Sequence, residues 1–367
     1  MADETRMMKA LRMVGVGKPL ELQELPAPTI DHEDPHDNNQ AVIKVRACGV
    51  CGTDLHHLAG TAKVADLPIT LGHEVAGVID EVGEAVSQGW LGLPEFKPGD
   101  RVTVHNVIYC GECRPCRRGR YNFCTHQSMI GRDVDGGLAE YMKVPARNLV
   151  PMPQNITFPE GAILGCAVVT AYHALRIAHI KVSDSVVVWG VGGVGLSLVQ
   201  LARQVSGAYP IIAIGKNEEP LLLARELGAD VVVDIRKDDP VKVILDSTSG
   251  EGADVVFDTV GITERGSNGT LQTLQSTCPG GQLIVVATYE KAVQLQPHDE
   301  LGIFEKRFTG SCGNLPEELQ QLTRLVAGRR RLDLMKIIAK IISLGEVNEV
   351  IKEWRTEGGI TRAVVSF

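Results

Sequence analysis

The sequence predicts an α/β protein with two domains, one rich in β-strands and one built on a parallel sheet. Three observations support this prediction. The first 160 residues carry short apolar runs punctuated by glycine and proline, such as Ala41–Ala47 and Val75–Val82. Beyond them, apolar runs alternate with helix-like segments, which is typical of βαβ units. A glycine-rich turn joins one of these runs to the helical segment that follows it.

The parallel strands of the second domain are predicted from five short apolar runs. These runs are Ser185–Trp189, Tyr209–Ile214, Ala229–Val233, Ala253–Asp258 and Gln282–Ala287. After them the pattern becomes mixed. Glu317–Ala327 and Leu332–Ser343 have helical patterns, and Arg362–Ser366 has the pattern of a closing strand.

Composition and charge exclude several classes of protein. The chain has 367 residues, with 37 Lys and Arg against 45 Asp and Glu, so its net charge is −8. This acidity argues against a nucleic-acid or membrane-surface partner. The N-terminal residues carry charges of both signs and no apolar signal core, so we expect a cytoplasmic protein. The uncharged stretch Ser185–Ala202 is predicted as a buried strand, turn and helix, because glycines interrupt it.

The glycine-rich turn has the pattern G-x-G-x-x-G between a strand and a helix. Gly190 permits a tight turn, Gly192 lets the backbone approach a pyrophosphate, and Gly195 lets the helix pack closely. The helix N-terminus adds N–H groups for the phosphates. The sequence therefore predicts a doubly wound Rossmann domain that binds a dinucleotide through Gly190, Gly192, Gly193, Val194 and Gly195.

The end of the second predicted strand bears on cofactor choice. NAD-specific Rossmann domains place an acidic residue about 20 residues beyond the glycine motif. Gly215 occupies that position here, and Lys216 follows it. Glycine leaves room for a 2′-phosphate and lysine can neutralise it. We therefore predict NADP in preference to NAD, with Gly215 and Lys216 in the site.

Four cysteines lie in one short segment with the spacing C-x2-C-x2-C-x7-C. Four thiolates that one loop can fold around an ion are typical of a closed structural zinc site, and an iron–sulfur cluster is the alternative. Arginines in the same loop can offset the negative charge. The cysteines are Cys110, Cys113, Cys116 and Cys124, and the arginines are Arg114, Arg117, Arg118 and Arg120.

A second group of candidate ligands is dispersed along the chain. Cys51 lies in the segment G-V-C-G-T-D-L-H, His73 lies in L-G-H-E, and Cys166 lies near the start of the α/β region. Two cysteines and one histidine make a three-ligand zinc site. Such a site keeps a fourth position open, which suits catalysis.

Taken together, these motifs resemble the zinc-dependent medium-chain alcohol dehydrogenase family, of the tetrameric microbial type. The likeness rests on the G-V-C-G-T-D-x-H segment, the G-H-E triplet, the cysteine loop, the glycine turn and the C-terminal R-A-V strand, all in family order. The resemblance implies a GroES-like catalytic domain at residues 1–160 and 303–367. It implies a Rossmann domain at residues 161–302 and an active site in the cleft.

The resemblance also implies a role for each site residue. Cys51, His73 and Cys166 hold the catalytic zinc, and Glu74 is an acidic neighbour that can approach the metal. The assignment of Cys166 rests on the stretch C-x-x-x-T-x-Y. Asp54 is the carboxylate that orients His73. Thr53 and His56 form a proton relay, and Arg362 contacts the cofactor.

The implied activity is hydride transfer between an alcohol and a nicotinamide dinucleotide, in a homotetramer with two zinc ions per subunit. The tetramer is inferred from the short interval between Cys124 and Gly136. Two alternatives stay open. One is a polyol dehydrogenase of the same family, against which Cys166 favours a simple alcohol. The other is a non-catalytic dinucleotide-binding relative, which usually lacks the Cys51 and His73 ligands.

Overall fold

The computed structural model shows two compact units. It describes residues 5–87, 95–261, 269–289, 292–295, 297–328, 332–357 and 362–367. Unit 1 consists of Met1–Cys166, Leu315–Arg331 and Ile338–Phe367. Unit 2 consists of Ala167–Asn314 and Leu332–Ile337.

Strands and helices are numbered in chain order over the described residues. The strands are β1 (Met7–Met13), β2 (Glu21–Pro26), β3 (Gln40–Val50), β4 (Ile69–Thr70), β5 (Glu74–Val82), β6 (Arg101–Val104), β7 (Val107–Ile108), β8 (Ser128–Met129), β9 (Tyr141–Pro145), β10 (Leu149–Pro151), β11 (Val186–Trp189), β12 (Ile211–Gly215), β13 (Val231–Asp234), β14 (Ala253–Asp258), β15 (Thr277–Val285), β16 (Arg307–Gly310), β17 (Lys340–Ile342) and β18 (Ala363–Ser366). The α-helices are α1 (Gly52–Ala59), α2 (Glu84–Ser87), α3 (Phe158–Ile163), α4 (Val169–Ala178), α5 (Gly193–Leu201), α6 (Glu218–Glu226), α7 (Pro240–Ser247), α8 (Gly269–Gln275), α9 (Pro316–Ala327) and α10 (Val347–Glu357).

Unit 1 is rich in β-strands, as the first part of the sequence predicts. Its largest sheet has the order β10-β6-β5-β3-β18-β17, and β9 also pairs with β3. Neighbours are antiparallel except β17 and β18. The apolar side chains of β3 and β5 are buried in the core of this unit. The pairing of these two strands positions the candidate site, because residues of the site lie at their ends.

Unit 2 contains a six-stranded sheet of the order β13-β12-β11-β14-β15-β16, and all of its pairs are parallel. Numbered within the unit, this is the order 3-2-1-4-5-6 of the doubly wound Rossmann fold. All four residues of β11 are buried, because helices cover both faces of such a sheet. The predicted doubly wound fold is confirmed. The strand order reverses between β11 and β14, where ligands bind in this fold.

The observed boundaries differ from those expected from the sequence. Unit 2 continues to Asn314 because β16 extends its sheet by pairing with β15. The helix predicted over Leu332–Ser343 is wrong. A single 3-10 turn, Met335–Ile337, and strand β17 occupy that segment.

Tertiary contacts explain this difference from the helical pattern. The Gln200 side chain accepts from the N–H of Asp333 at 2.8 Å and donates to its carbonyl oxygen at 3.2 Å. Strand β17 gains a parallel partner in β18. These contacts satisfy backbone groups that a helix would otherwise have to satisfy internally.

One helical stretch, Phe158–Ala178, is apolar and long enough to cross a membrane, a feature that the sequence analysis does not identify. In its most apolar window 72% of the residues are buried inside the protein. This burial is typical of a core helix.

Candidate active site

The four cysteines of the predicted structural site bring their sulfur atoms close together. The Sγ atom of Cys110 lies 3.5 Å from that of Cys124 and 4.0 Å from that of Cys116. The Sγ atoms of Cys113 and Cys124 are 3.9 Å apart. Zinc–sulfur bonds of about 2.3 Å in a tetrahedron place sulfur atoms about 3.8 Å apart, whereas a disulfide requires about 2.05 Å. The spacing fits a shared tetrahedral ion.

Backbone N–H groups of the loop donate to these sulfur atoms. The N–H of Cys113 donates to Cys110 Sγ at 3.4 Å. Cys124 Sγ accepts from the N–H groups of Cys110 at 3.3 Å and His126 at 3.4 Å. Backbone hydrogen bonds lower the pKa of Cys113 to about 6, whereas burial raises the pKa of Cys116 to about 12. A bound cation is therefore needed to keep all four sulfur atoms ionised at neutral pH.

Arg147, which belongs to no motif in the sequence, anchors the start of the cysteine loop. Its Nη1 donates to the carbonyl oxygens of Cys110 at 2.9 Å and Tyr109 at 3.2 Å. The Tyr109 ring packs on that of Tyr121, with centroids 4.3 Å apart. The arginines expected to offset the thiolate charge are, unlike Arg147, exposed to solvent. They are Arg114, Arg117, Arg118 and Arg120.

The second predicted metal group is assembled from three separate elements of unit 1. Cys51 lies between β3 and α1, His73 and Glu74 lie at the start of β5, and Cys166 lies in the π-helical turn after α3. Antiparallel pairing sets Gly49 opposite Glu74, which brings Cys51 to His73. One ligand atom from each member of the group lies within 4.8 Å of the others. The four side chains could therefore bind a single ion.

The donor atoms of this group fit a metal ion. Within the described part of the chain, the buried Nε2 atom of His73 has no hydrogen-bond partner. The other ring nitrogen, Nδ1, lies 3.6 Å from Asp54 Oδ1, and Asp54 Oδ2 accepts from the N–H of Cys51 at 2.8 Å. A buried ring nitrogen without a partner costs free energy. Coordination of a metal would satisfy it, and the Asp54 carboxylate lies beside both Cys51 and His73.

A hydrogen bond between the two cysteines of this group shifts their pKa values in opposite directions. A hydrogen bond from the Cys166 thiol lowers the pKa of Cys51 well below its usual value, against burial, and the charge of Arg362 lowers it further. The same hydrogen bond raises the pKa of Cys166 well above its usual value. Because metal binding requires thiolates, a divalent cation would release the Cys166 thiol proton.

Glu74 lies in a closely fitted space beside this group. Its buried carboxylate pairs with buried Arg362, whose Nη2 lies 2.8 Å from Glu74 Oε1. Burial raises the pKa of Glu74 to about 7, although the Arg362 charge opposes this. A β-carbon at Gly49 would lie only 2.1 Å from Glu74 Oε2, so glycine leaves the room that the carboxylate uses. Arg362, which the sequence assigns to the cofactor, is here the partner of Glu74 in unit 1.

The glycine-rich turn of unit 2 has the backbone that a dinucleotide site requires. Gly190 has a φ of +104°, and a β-carbon at Gly195 would lie 1.8 Å from the Gly190 carbonyl oxygen. Gly192 directly precedes α5, and no described atom outside the adjoining backbone lies within 4 Å of a β-carbon placed there. The backbone can therefore be approached there, and Gly193 and Val194 begin a helix whose N-terminal N–H groups suit phosphates.

The end of β12 differs from the sequence-based expectation. A β-carbon at Gly215 would lie 2.5 Å from Val191 Cγ2, so Val191 fills part of the space that we expected to be open. Lys216 beside it is exposed, as expected. An aspartate at position 215 would therefore require the Val191 side chain to shift, which costs packing energy.

Comparisons with known proteins converge on one family. The family model "Alcohol dehydrogenase GroES-like domain" matches residues 37–154, and "Zinc-binding dehydrogenase" matches residues 193–328. An alcohol dehydrogenase of Geobacillus stearothermophilus is 31% identical over 345 residues, which cover 94% of this chain and 95% of the relative. The chain belongs to the zinc-dependent medium-chain alcohol dehydrogenase family.

Two further proteins match this alcohol dehydrogenase over nearly its whole length. An NAD-dependent alcohol dehydrogenase of Sulfurisphaera tokodaii is 33% identical over 98% of this chain and 99% of its own. A zinc-binding dehydrogenase of Sinorhizobium meliloti 1021, solved with NADP bound, has a TM-score of 0.87 and 31% identity over 99% and 100% of the two chains. The predicted family and its GroES-like and Rossmann architecture are confirmed. The enzyme is a zinc-dependent oxidoreductase that transfers hydride between an alcohol and a nicotinamide dinucleotide.

In this alcohol dehydrogenase the predicted relay residues lie on α1. Thr53 Oγ1 is 3.7 Å from Cys51 Sγ, and the half-buried His56 places Nδ1 2.9 Å from Thr61 Oγ1. The neighbouring His57 is buried, and its Nδ1 hydrogen-bonds a backbone carbonyl group. Of these two histidines, His56 therefore has the greater access to solvent.

Proposed function

We propose that the enzyme binds two zinc ions per subunit, one catalytic and one structural. Cys51, His73 and Cys166 are assigned to the catalytic ion, with Glu74 as a ligand that can join them. The observation that carries this proposal is that four donor atoms meet within 4.8 Å of one another around a buried, unpartnered ring nitrogen. The structural ion is assigned to Cys110, Cys113, Cys116 and Cys124.

The residues around the catalytic group position the metal ligands and transfer a proton. When bound, zinc supplies a Lewis acid for the alcohol oxygen, and the nicotinamide supplies the hydride acceptor. Asp54 orients His73 and fixes the backbone of Cys51. The Thr53 hydroxyl lies beside the group and relays the alcohol proton, since it can accept that proton only as it donates its own onward. His56 is the group that passes a proton to solvent.

The proposed substrate is a simple alcohol, which is oxidised to an aldehyde or ketone. Cys166 supports this class over a polyol, since polyol dehydrogenases of the family commonly use glutamate at that position. A panel of primary, secondary and aromatic alcohols together with polyols tests it. Turnover that is fastest with a polyol would contradict the assignment.

Zinc analysis of the purified enzyme tests the metal proposal directly. Two zinc ions per subunit are expected, and one of them should leave with a chelator in step with the loss of turnover. A single zinc ion in fully active enzyme would contradict the proposal. Iron in the cysteine loop would instead support the alternative cluster.

NADP(H) is the proposed preferred cofactor. The proposal is supported by the glycine at position 215, where an acidic residue is expected in NAD-specific domains, and by the exposed Lys216 beside it. The related proteins include one named for NAD and one solved with NADP. Comparing kcat/KM for the two cofactors tests the preference, and an NAD+ advantage of about tenfold, or 1.4 kcal/mol, would overturn it.

A homotetramer and a cytoplasmic location complete the proposed function. The tetramer is supported by the short interval between Cys124 and Gly136, which resembles tetrameric microbial members. Light scattering of the purified enzyme checks it, and a dimeric mass would contradict it.

A further inference from the structure

The chain just beyond β13 lies beside the end of β12 in unit 2. Gly215 pairs with Asp234 across the two parallel strands, and the N–H of Ile235 donates to the Gly215 carbonyl oxygen at 3.0 Å. Both strands therefore end side by side at the carboxyl edge of the sheet. This is the edge at which doubly wound folds bind their cofactor.

Arg236 is held at this edge by a carboxylate. Its Nε and Nη2 atoms donate to the two oxygens of Asp234 at 2.9 and 2.7 Å, and its backbone N–H donates to the same carboxylate at 3.0 Å. A guanidinium has five N–H donors, so three remain after these two side-chain bonds. The side chain is 55% exposed, which leaves its outer edge accessible. An arginine fixed in this way loses little further conformational entropy when it binds an anion.

Two further cations lie near Arg236 at this edge. Lys237 Nζ lies 3.6 Å from Asp234 Oδ2, and exposed Lys216 follows Gly215. Asp234 and Glu218, whose charge acts on Arg236, oppose these cations. Glu219, Asp238 and Asp239 lie in the same two segments, so the selection of an anion depends on the placement of the donors and not on net charge. Asp234 already accepts from Arg236 with both oxygens, so it is poorly placed to bind a ribose hydroxyl.

We propose that Arg236, held by Asp234, is a specificity-determining residue that binds the 2′-phosphate of NADP(H) together with Lys216. This inference rests on the proposed cofactor preference and assigns it to a residue outside the glycine motif and the end of β12. Because residue 215 is glycine, no carboxylate at that position repels the phosphate.

Equilibrium binding of two adenosine nucleotides to the zinc-loaded enzyme tests the proposal without turnover. The probes are 2′,5′-ADP and 5′-AMP, which differ only in the 2′-phosphate, and calorimetry gives both affinities. The unmodified enzyme is expected to bind 2′,5′-ADP about tenfold or more tightly than 5′-AMP. In Arg236→Gln this ratio should fall by about tenfold, because charge-assisted hydrogen bonds are lost, while 5′-AMP affinity stays within about twofold.

Two further variants sharpen the result. Asp234→Asn should keep a higher ratio than Arg236→Gln, because it alters the hold on Arg236 without removing the guanidinium charge. Arg225→Gln makes the same charge change in the last turn of α6 and should leave the ratio unchanged. If Arg236→Gln keeps the ratio, or weakens both nucleotides equally, Arg236 does not select the phosphate and the proposal is overturned. If the unmodified enzyme shows no ratio, the NADP preference itself fails, and this inference fails with it.

Discussion

The two candidate metal sites of unit 1 differ in how the chain builds them. One loop supplies all four cysteines of the structural site, and backbone N–H groups of the same loop donate to their sulfur atoms. The catalytic group takes its residues from the ends of β3, β5 and α3. Its supporting contacts come from side chains, Asp54 and Arg362. A loop site needs correct spacing, whereas the catalytic site needs a correctly folded sheet.

This contrast predicts different consequences when each site is damaged. Loss of a loop ligand removes a local cross-link but leaves the sheet that holds Cys51 and His73. Loss of a catalytic ligand leaves the sheet and the loop but removes one of the few groups that hold the reactive metal. The variants below are ordered from the largest expected effect to the smallest.

Cys51→Ala or His73→Ala should abolish turnover. An open site with three ligands cannot retain its metal after losing one, and the expected residual activity is about 1% or less. Activity, zinc content and melting temperature are measured together. The melting temperature should fall only slightly, because each kcal/mol of lost unfolding free energy lowers it by about 2–4 °C. One zinc ion per subunit should remain.

Cys48→Ala is the matched control, because Cys48 is a buried cysteine near the end of β3 that belongs to neither metal group. It should keep both zinc ions and most of the activity. Near-normal activity and zinc content in Cys51→Ala would show that the catalytic site has been misassigned.

Cys124→Ser should act mainly on stability. It removes a ligand that accepts two backbone hydrogen bonds in the loop, so the structural ion is lost. A cost of about 3 kcal/mol corresponds to a melting temperature lower by roughly 6–12 °C in a protein of this size class. Differential scanning calorimetry and zinc analysis check this, with activity per remaining catalytic zinc reduced less than about tenfold.

Cys278→Ser is the control here, since Cys278 is a partly buried cysteine of unit 2 outside both groups. If Cys124→Ser lost activity while keeping its melting temperature and both zinc ions, the two sites would not divide stability and catalysis in this way.

Gly49→Ala should have the smallest effect of the three. The added β-carbon overlaps the Glu74 carboxylate, and overpacking of this kind costs about 1–3 kcal/mol. Because Glu74 borders the catalytic group, the rate at which a chelator removes the catalytic zinc should change as well. Urea unfolding and chelator-dependent zinc release measure the two effects.

Gly52→Ala provides the comparison on the same segment, since no atom lies within 4 Å of a β-carbon placed at Gly52. It should leave stability and zinc release nearly unchanged. Equal effects of the two substitutions would refute the role of Gly49 as the residue that makes room for Glu74.

Local patterns in the sequence identify much of this protein. The spacing from Cys110 to Cys124 predicts a loop whose sulfur atoms meet, because the ligands are covalently close. The turn from Gly190 to Gly195 is likewise predictable, since the positive φ of Gly190 and the close backbone contact at Gly195 favour glycine at those two positions. Short apolar runs predict the parallel strands because burial on both faces requires them.

Contacts between distant residues are decided only by the tertiary structure. The helical pattern of Leu332–Ser343 gives way to Gln200 and β18, which satisfy the backbone of that segment in other ways. Arg147 belongs to no motif, yet it anchors the cysteine loop. The resemblance assigns Arg362 to the cofactor, yet the folded chain pairs it with Glu74. Such pairings depend on which strands become neighbours, and spacing along the chain carries no information about them.

The same division applies to the cofactor site. Sequence alone shows that position 215 lacks an acidic side chain, since that is a property of one residue. Only the folded sheet shows that Val191 fills the space beside Gly215 and that Asp234 holds Arg236 next to it. The identity of a residue is local information, but the neighbours that give it a function are set by strand order and register.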